Sequence, residues 1–127
     1  MPEEAGKRLA VNDLLIVGSG ALACLFAARL AQAGLPVNML GSWPEGLQAL
    51  RQYGVRVIQA DGSQWASPVL VIDRPEDCQG ARYALVLVKS WQTGRAAAQL
   101  SRCLAADGLA LTLQNGAGNY EQLVEAL

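Results

Sequence analysis

No histidine occurs anywhere in this 127-residue chain. That absence removes Ser-His-Asp triads, histidine general bases and most zinc sites. Aromatic residues are scarce at 6%, with a single Phe. The three cysteines, Cys24, Cys78 and Cys103, are odd in number and far apart, with no Cys-x-x-Cys spacing. Such a set gives no disulfide framework and no metal knuckle; free, mostly buried thiols in a reducing compartment are expected. Charge of either sign is not in excess, with 10 basic against 11 acidic residues and a net −1. The chain therefore offers no electrostatic footprint for nucleic acid or for an anionic membrane.

The sequence also lacks an unbroken apolar span. Leu14 to Ala33, preceded by Lys7 and Arg8, superficially resembles a secretory signal. Gly18-Ser19-Gly20 interrupts it, however, and Arg29 inside it would cost about 3 kcal/mol at the centre of a bilayer. Strand, turn and helix explain the run better. A cytoplasmic protein with no membrane partner is the expectation.

What is present is a chain 52% hydrophobic with 13 glycines, enough for one compact domain with many tight turns. Residues 1–12 are polar and expected to form a flexible leader, with one domain over 13–127. Leu14-Leu15-Ile16-Val17 reads as a strand buried on both faces. Ala21 to Ala33 has helical composition and ends at Gly34 as a cap. Val37 to Leu40 is a second strand, and Pro44 can open a helix through Leu50. Val55 to Ile58 and Val69 to Ile72, with Asp61-Gly62 between them, predict a small hairpin excursion. Tyr83 to Val88 resumes the strand pattern. Thr93 to Ala106 reads as a helix stopped by Asp107-Gly108, Leu109 to Leu113 as a strand, and Tyr120 to Leu127 as a helix. The alternation predicts an α/β fold: a doubly wound, mostly parallel Rossmann-type sheet with right-handed crossovers. The sequence stops inside that last helix, so further chain is expected beyond it.

Gly18-Ser19-Gly20-Ala21-Leu22-Ala23 follows a buried strand and opens a helix, the context in which a glycine turn binds a dinucleotide. Gly18 permits the tight turn. Gly20 lets backbone approach a pyrophosphate held on the N–H groups of the helix start, including Ala21 and Leu22. Ala23 occupies the third fingerprint position, where close helix–strand packing is needed. A glycine turn without a ligand is the alternative. Roughly 20 residues further on, NAD-binding proteins carry Asp or Glu at the end of strand two. Here that end reads Leu40-Gly41-Ser42-Trp43. Without an acid to repel a 2′-phosphate, the chain leans toward NADP(H). The usual positive partner is missing too, with Arg51 the nearest candidate downstream. Ser42 either hydrogen-bonds a phosphate or caps the helix at Pro44.

Two further motifs follow later strands, at the edge where open α/β sheets bind ligands. In Lys89-Ser90-Trp91-Gln92 the lysine is either a contact for ribose or a substrate anion, or a solvated strand-end residue. In Gln114-Asn115-Gly116-Ala117-Gly118-Asn119 the Asn-Gly pair is either a plain turn or holds a nicotinamide or substrate carbonyl.

In this order and spacing, the glycine turn, Val88-Lys89-Ser90-Trp91-Gln92 and Gln114-Asn115-Gly116-Ala117-Gly118 resemble the N-terminal domain of the ketopantoate reductase family. The resemblance spans nearly everything from Asp13 to Leu127. It implies an NADPH-dependent reduction of a small-molecule 2-oxo acid to a 2-hydroxy acid, in pantothenate biosynthesis for true members. It places Gly18, Ser19, Gly20, Ala21, Leu22, Ser42, Lys89, Asn115 and Gly116 at the cofactor. Lys89 would lie near the nicotinamide-side ribose, and Asn115 beside nicotinamide and substrate. The family's catalytic lysine lies in a C-terminal helical domain that this sequence does not contain, so no catalytic residue and no metal ligand is assigned here. A non-catalytic nucleotide-sensing module and a different 2-hydroxyacid dehydrogenase are the alternatives.

Overall fold

The computed structural model describes residues 13–113 and 118–127. The expected leader over 1–12 lies outside the described residues. Strand β1 (Leu14–Val17) is buried along its whole length. Leu14 and Ile16 enter one core cluster, Leu15 and Val17 the other. A strand covered on both faces has no polar side, which is why it reads as an unbroken apolar run.

The chain continues through α1 (Ala21–Gln32), β2 (Asn38–Leu40), α2 (Pro44–Tyr53), β3 (Val55–Ile58), β4 (Gln64–Ser67) and β5 (Leu70–Ile72). A 3-10 turn at Pro75–Cys78 leads into β6 (Ala81–Val86), and a second at Ser90–Gln92 leads into α3 (Thr93–Cys103). Strand β7 (Leu104–Thr112) and α4 (Asn119–Ala126) complete the order. Five strands form a parallel sheet in the order β5-β2-β1-β6-β7. The order reverses between β1 and β6, which opens a crevice beyond the strand ends. The expected doubly wound sheet is what the chain forms.

Helix α1 packs on one face through Ala23, Ala27 and Ala28, all fully buried. Side chains this small let the helix backbone lie close to the sheet. On the other face α3 contributes Ala96, Ala97, Leu100 and Cys103. Each fully buried Leu or Ile, such as Leu15, Ile16 and Leu100, stabilises the fold by about 1.5–3 kcal/mol through removal from water. Gly34 ends α1 as expected: its φ is +83°, and its N–H donates to the Ala31 carbonyl at 2.9 Å.

Three expectations are corrected. The hairpin partner of β3 is not Val69 to Ile72 but β4, with Ile58 opposite Gln64 and Val55 opposite Ser67. The Asp61-Gly62 turn is therefore tighter than expected, closed by the Gln59 N–H on the Ser63 carbonyl at 2.8 Å. Leu70–Ile72 instead joins the main sheet, parallel to β2, with Val71 and Ile72 buried. Next, α3 stops at Cys103 rather than Ala106, because Leu104 already pairs with Ala81 and the Cys103 carbonyl accepts the Gly80 N–H at 2.8 Å. Asp107-Gly108 then lies within β7, where the register jumps from Leu104 to Leu109. Finally, α2 runs on to Tyr53, past the expected end at Leu50.

Candidate functional site

The parallel strands end at one level. Val17 lies beside Leu40 and Val86, Leu40 beside Ile72, and Val86 beside Thr112. The residues just past these ends stay registered: the Gly18 N–H donates to the Leu40 carbonyl at 2.8 Å, and the Leu87 N–H to the Val17 carbonyl at 3.0 Å. Beyond this edge lies a cleft of about 880 Å³. It gathers Gly18, Ser19, Gly20, Ala21, Leu22, Ser42 and Lys89 into one wall, together with Trp43, Trp91, Gln92 and Arg95. Of the residues singled out in the sequence, Asn115 and Gly116 lie outside the described residues.

The two turn glycines have different reasons to be glycine. Gly18 has a φ of +135°, and a Cβ there would sit 3.3 Å from the Leu87 backbone and 3.5 Å from the Ala23 Cβ. Fold geometry alone requires it. Gly20 is otherwise: its φ is −81°, open to any residue, and a Cβ there would meet no protein atom within 4 Å. Neither backbone nor packing demands glycine at this point, which is the N-cap of α1 and faces the cleft. The first turn of α1 carries no acidic side chain, so its N–H groups and the positive end of its dipole are offered to an anion. The bare backbone and open space fit a pyrophosphate. Beneath the turn, the half-buried Cys24 thiol donates to the Ser19 carbonyl at 3.7 Å, and burial pushes its pKa up.

The part of this wall that carries Lys89 is organised from the end of β6. Gln92 folds back on the preceding loop, its side-chain oxygen accepting the Lys89 N–H at 3.1 Å while its own N–H donates to the Lys89 carbonyl at 2.8 Å. Lys89 is thus fixed at its backbone and exposed at its side chain. Ser42 does not cap α2. The N-cap there is Trp43, without a side-chain bond, and the Ser42 hydroxyl instead accepts from the Arg95 guanidinium at 3.0 Å. Arg51, the cation nearest Ser42 downstream in sequence, pairs with Asp73 at 3.7 Å and does not line the cleft. Arg95 is the cleft residue that sequence reasoning missed. One signal was available: it stands in the first turn of a helix, where the dipole disfavours a cation, unless an anion is to be met there.

A parallel sheet with a glycine turn and a ligand-sized cleft at its switch point defines a Rossmann-type α/β domain. Residues 14–127 match the family described as ketopantoate reductase PanE/ApbA, and the chain belongs to that family. It is 37% identical over 113 residues to a 2-dehydropantoate 2-reductase of Halobacterium salinarum, a match covering 88% of this chain and 37% of that one. Among solved structures, a PanE/ApbA family ketopantoate reductase from Ralstonia eutropha JMP134 superposes with a TM-score of 0.81 at 33% identity, over 91% of this chain and 38% of that one. A D-mandelate dehydrogenase solved with NADH and anilino(oxo)acetate also reaches a TM-score of 0.81, at 19% identity over 91% of this chain and 37% of that one; this likeness is one of fold. The chain therefore spans little more than a third of the length of these relatives. Among the described residues, no helix is long and apolar enough to cross a membrane.

Proposed function

We propose that this chain is the cofactor-binding domain of an NADPH-dependent 2-oxo acid reductase that converts ketopantoate to pantoate (2-dehydropantoate 2-reductase). The observation that carries the reading is Gly20, where bare backbone at the start of α1 faces the cleft and neither a positive φ nor packing accounts for the glycine. When bound, NADPH supplies the hydride for the substrate carbonyl. The turn from Gly18 to Leu22 receives the pyrophosphate, Ser42 lies at the adenosine end, and Lys89 and Asn115 position nicotinamide and substrate. Lys89 adds a positive charge to the wall that a 2-oxo acid anion would approach.

The proton donor and the second wall of the cleft belong, in this reading, to a helical domain further along a longer chain. The sheet edge supports this. Leu109 and Leu111 on β7 and Tyr120 and Val124 on α4 are large apolar side chains left exposed together. An uncovered apolar face on an edge strand marks a surface that other chain or another protein covers. A cytoplasmic location belongs to the same proposal, in keeping with three free cysteines.

The test follows NADPH absorbance with ketopantoate and a panel of other 2-oxo acids, for this chain and for a longer protein carrying it. Turnover of ketopantoate by the longer protein alone is expected. Turnover by the 127-residue chain near that rate would refute the division of labour. Preference for another 2-oxo acid would favour a different 2-hydroxyacid dehydrogenase, and NADPH binding without any turnover a nucleotide sensor.

A further inference from the structure

We propose that Arg95, delivered to the end of β2 from α3, is the residue that recognises the cofactor's 2′-phosphate. This inference rests on the reading of the cleft as a dinucleotide site. The end of β2 is where a Rossmann domain distinguishes the two nicotinamide cofactors: an acid there binds the ribose 2′-hydroxyl, and a nearby arginine accommodates the 2′-phosphate. This chain has neither residue at that position. What stands there is Ser42, exposed at the cleft.

The structure brings a cation to that spot from elsewhere. Arg95 lies 53 positions along the sequence, yet its Nη1 donates to the Ser42 Oγ at 3.0 Å. Its guanidinium faces the same cleft as the glycine turn. Among the described residues, no carboxylate forms an ion pair with Arg95, whereas Arg51, Arg74 and Arg102 each have one. A guanidinium held only by a neutral hydroxyl keeps donors free for a phosphate, which it binds in a forked, charge-assisted geometry. Its position in the first turn of α3 opposes the helix dipole, and an anion bound there would relieve that opposition. Ser42 then has two roles. It holds the guanidinium at the end of β2, and its hydroxyl can itself meet the phosphate.

The experiment titrates the protein with NADP⁺, NAD⁺, adenosine 2′,5′-bisphosphate and 5′-AMP, read by quenching of the cleft tryptophans, Trp43 and Trp91. Arg95→Ala should weaken NADP⁺ and the bisphosphate by about tenfold or more, as loss of a charge-assisted bond implies, while NAD⁺ and 5′-AMP change less than about twofold. Arg95 is exposed, so the fold should survive the change. Arg95→Lys should retain part of the discrimination, and adding Ser42→Arg to Arg95→Ala should restore it. Ser42→Asp in the parent should turn preference toward NAD⁺. Equal losses for both cofactors, or no loss for either, would overturn the assignment while leaving the dinucleotide site standing. A parent that binds none of the four probes would overturn both readings.

Discussion

The hydroxyl of Thr93 donates to the side-chain oxygen of Asn119 at 2.7 Å, with both residues almost fully buried. Thr93 is the first residue of α3 and Asn119 the first of α4. One hydrogen bond thus ties the start of α3, the helix that follows Lys89, to the start of α4.

Thr93→Val keeps the shape of the side chain and removes the donor. The Asn119 oxygen loses that bond in the interior, and the cost should be about 1–3 kcal/mol. Thr93→Ser keeps the donor and should lose less. Urea unfolding of the three proteins checks the order. Equal stability for Thr93→Val and the parent would mean that the bond contributes nothing.

Gly18→Ala should harm the fold rather than the ligand. A φ of +135° is strained for any side chain, and the new Cβ would press on the Leu87 backbone at 3.3 Å. Strain of this kind costs about 1–3 kcal/mol. Thermal unfolding should show a lower midpoint, and an unchanged midpoint would show that the turn relaxes freely.

Alkaline pH should weaken the protein through the half-buried Cys24 thiol. Burial raises the Cys24 pKa above its ordinary 9.0. A group with a raised folded pKa contributes stability that is complete below its unfolded pKa. That stability is lost as pH rises, because the unfolded chain releases the proton first. Unfolding free energy should therefore fall above pH 9.0, and Cys24→Ala should fall less steeply than the parent. Parallel curves would contradict the desolvation account for Cys24.

The sequence made the centre of this fold readable, and distance hid the rest. Leu14 to Val17 announced itself because burial on both faces leaves no polar position, and the glycine turn followed in the right context. Gln64–Ser67 gave no such sign: it is a half-exposed pair of alternating positions whose strand character comes from pairing with Val55–Ile58. The alanines after Leu104 favour a helix on their own, yet pairing with β6 draws this stretch into a strand. Arg95 was invisible for a simpler reason. Its contact with Ser42 spans 53 positions, and only the parallel crossovers bring the two together.

The central claim is that a dinucleotide pyrophosphate rests against Gly20, and Gly20→Val tests it most directly. A Cβ at Gly20 meets no protein atom within 4 Å, so the variant should fold with nearly the parent's thermal midpoint. Its branched side chain would nevertheless fill the space where phosphate must meet backbone. Calorimetric titration with NADPH should show binding by the parent and at least about tenfold weaker binding by Gly20→Val, or 1.4 kcal/mol. A folded variant that binds NADPH as tightly as the parent would contradict the account.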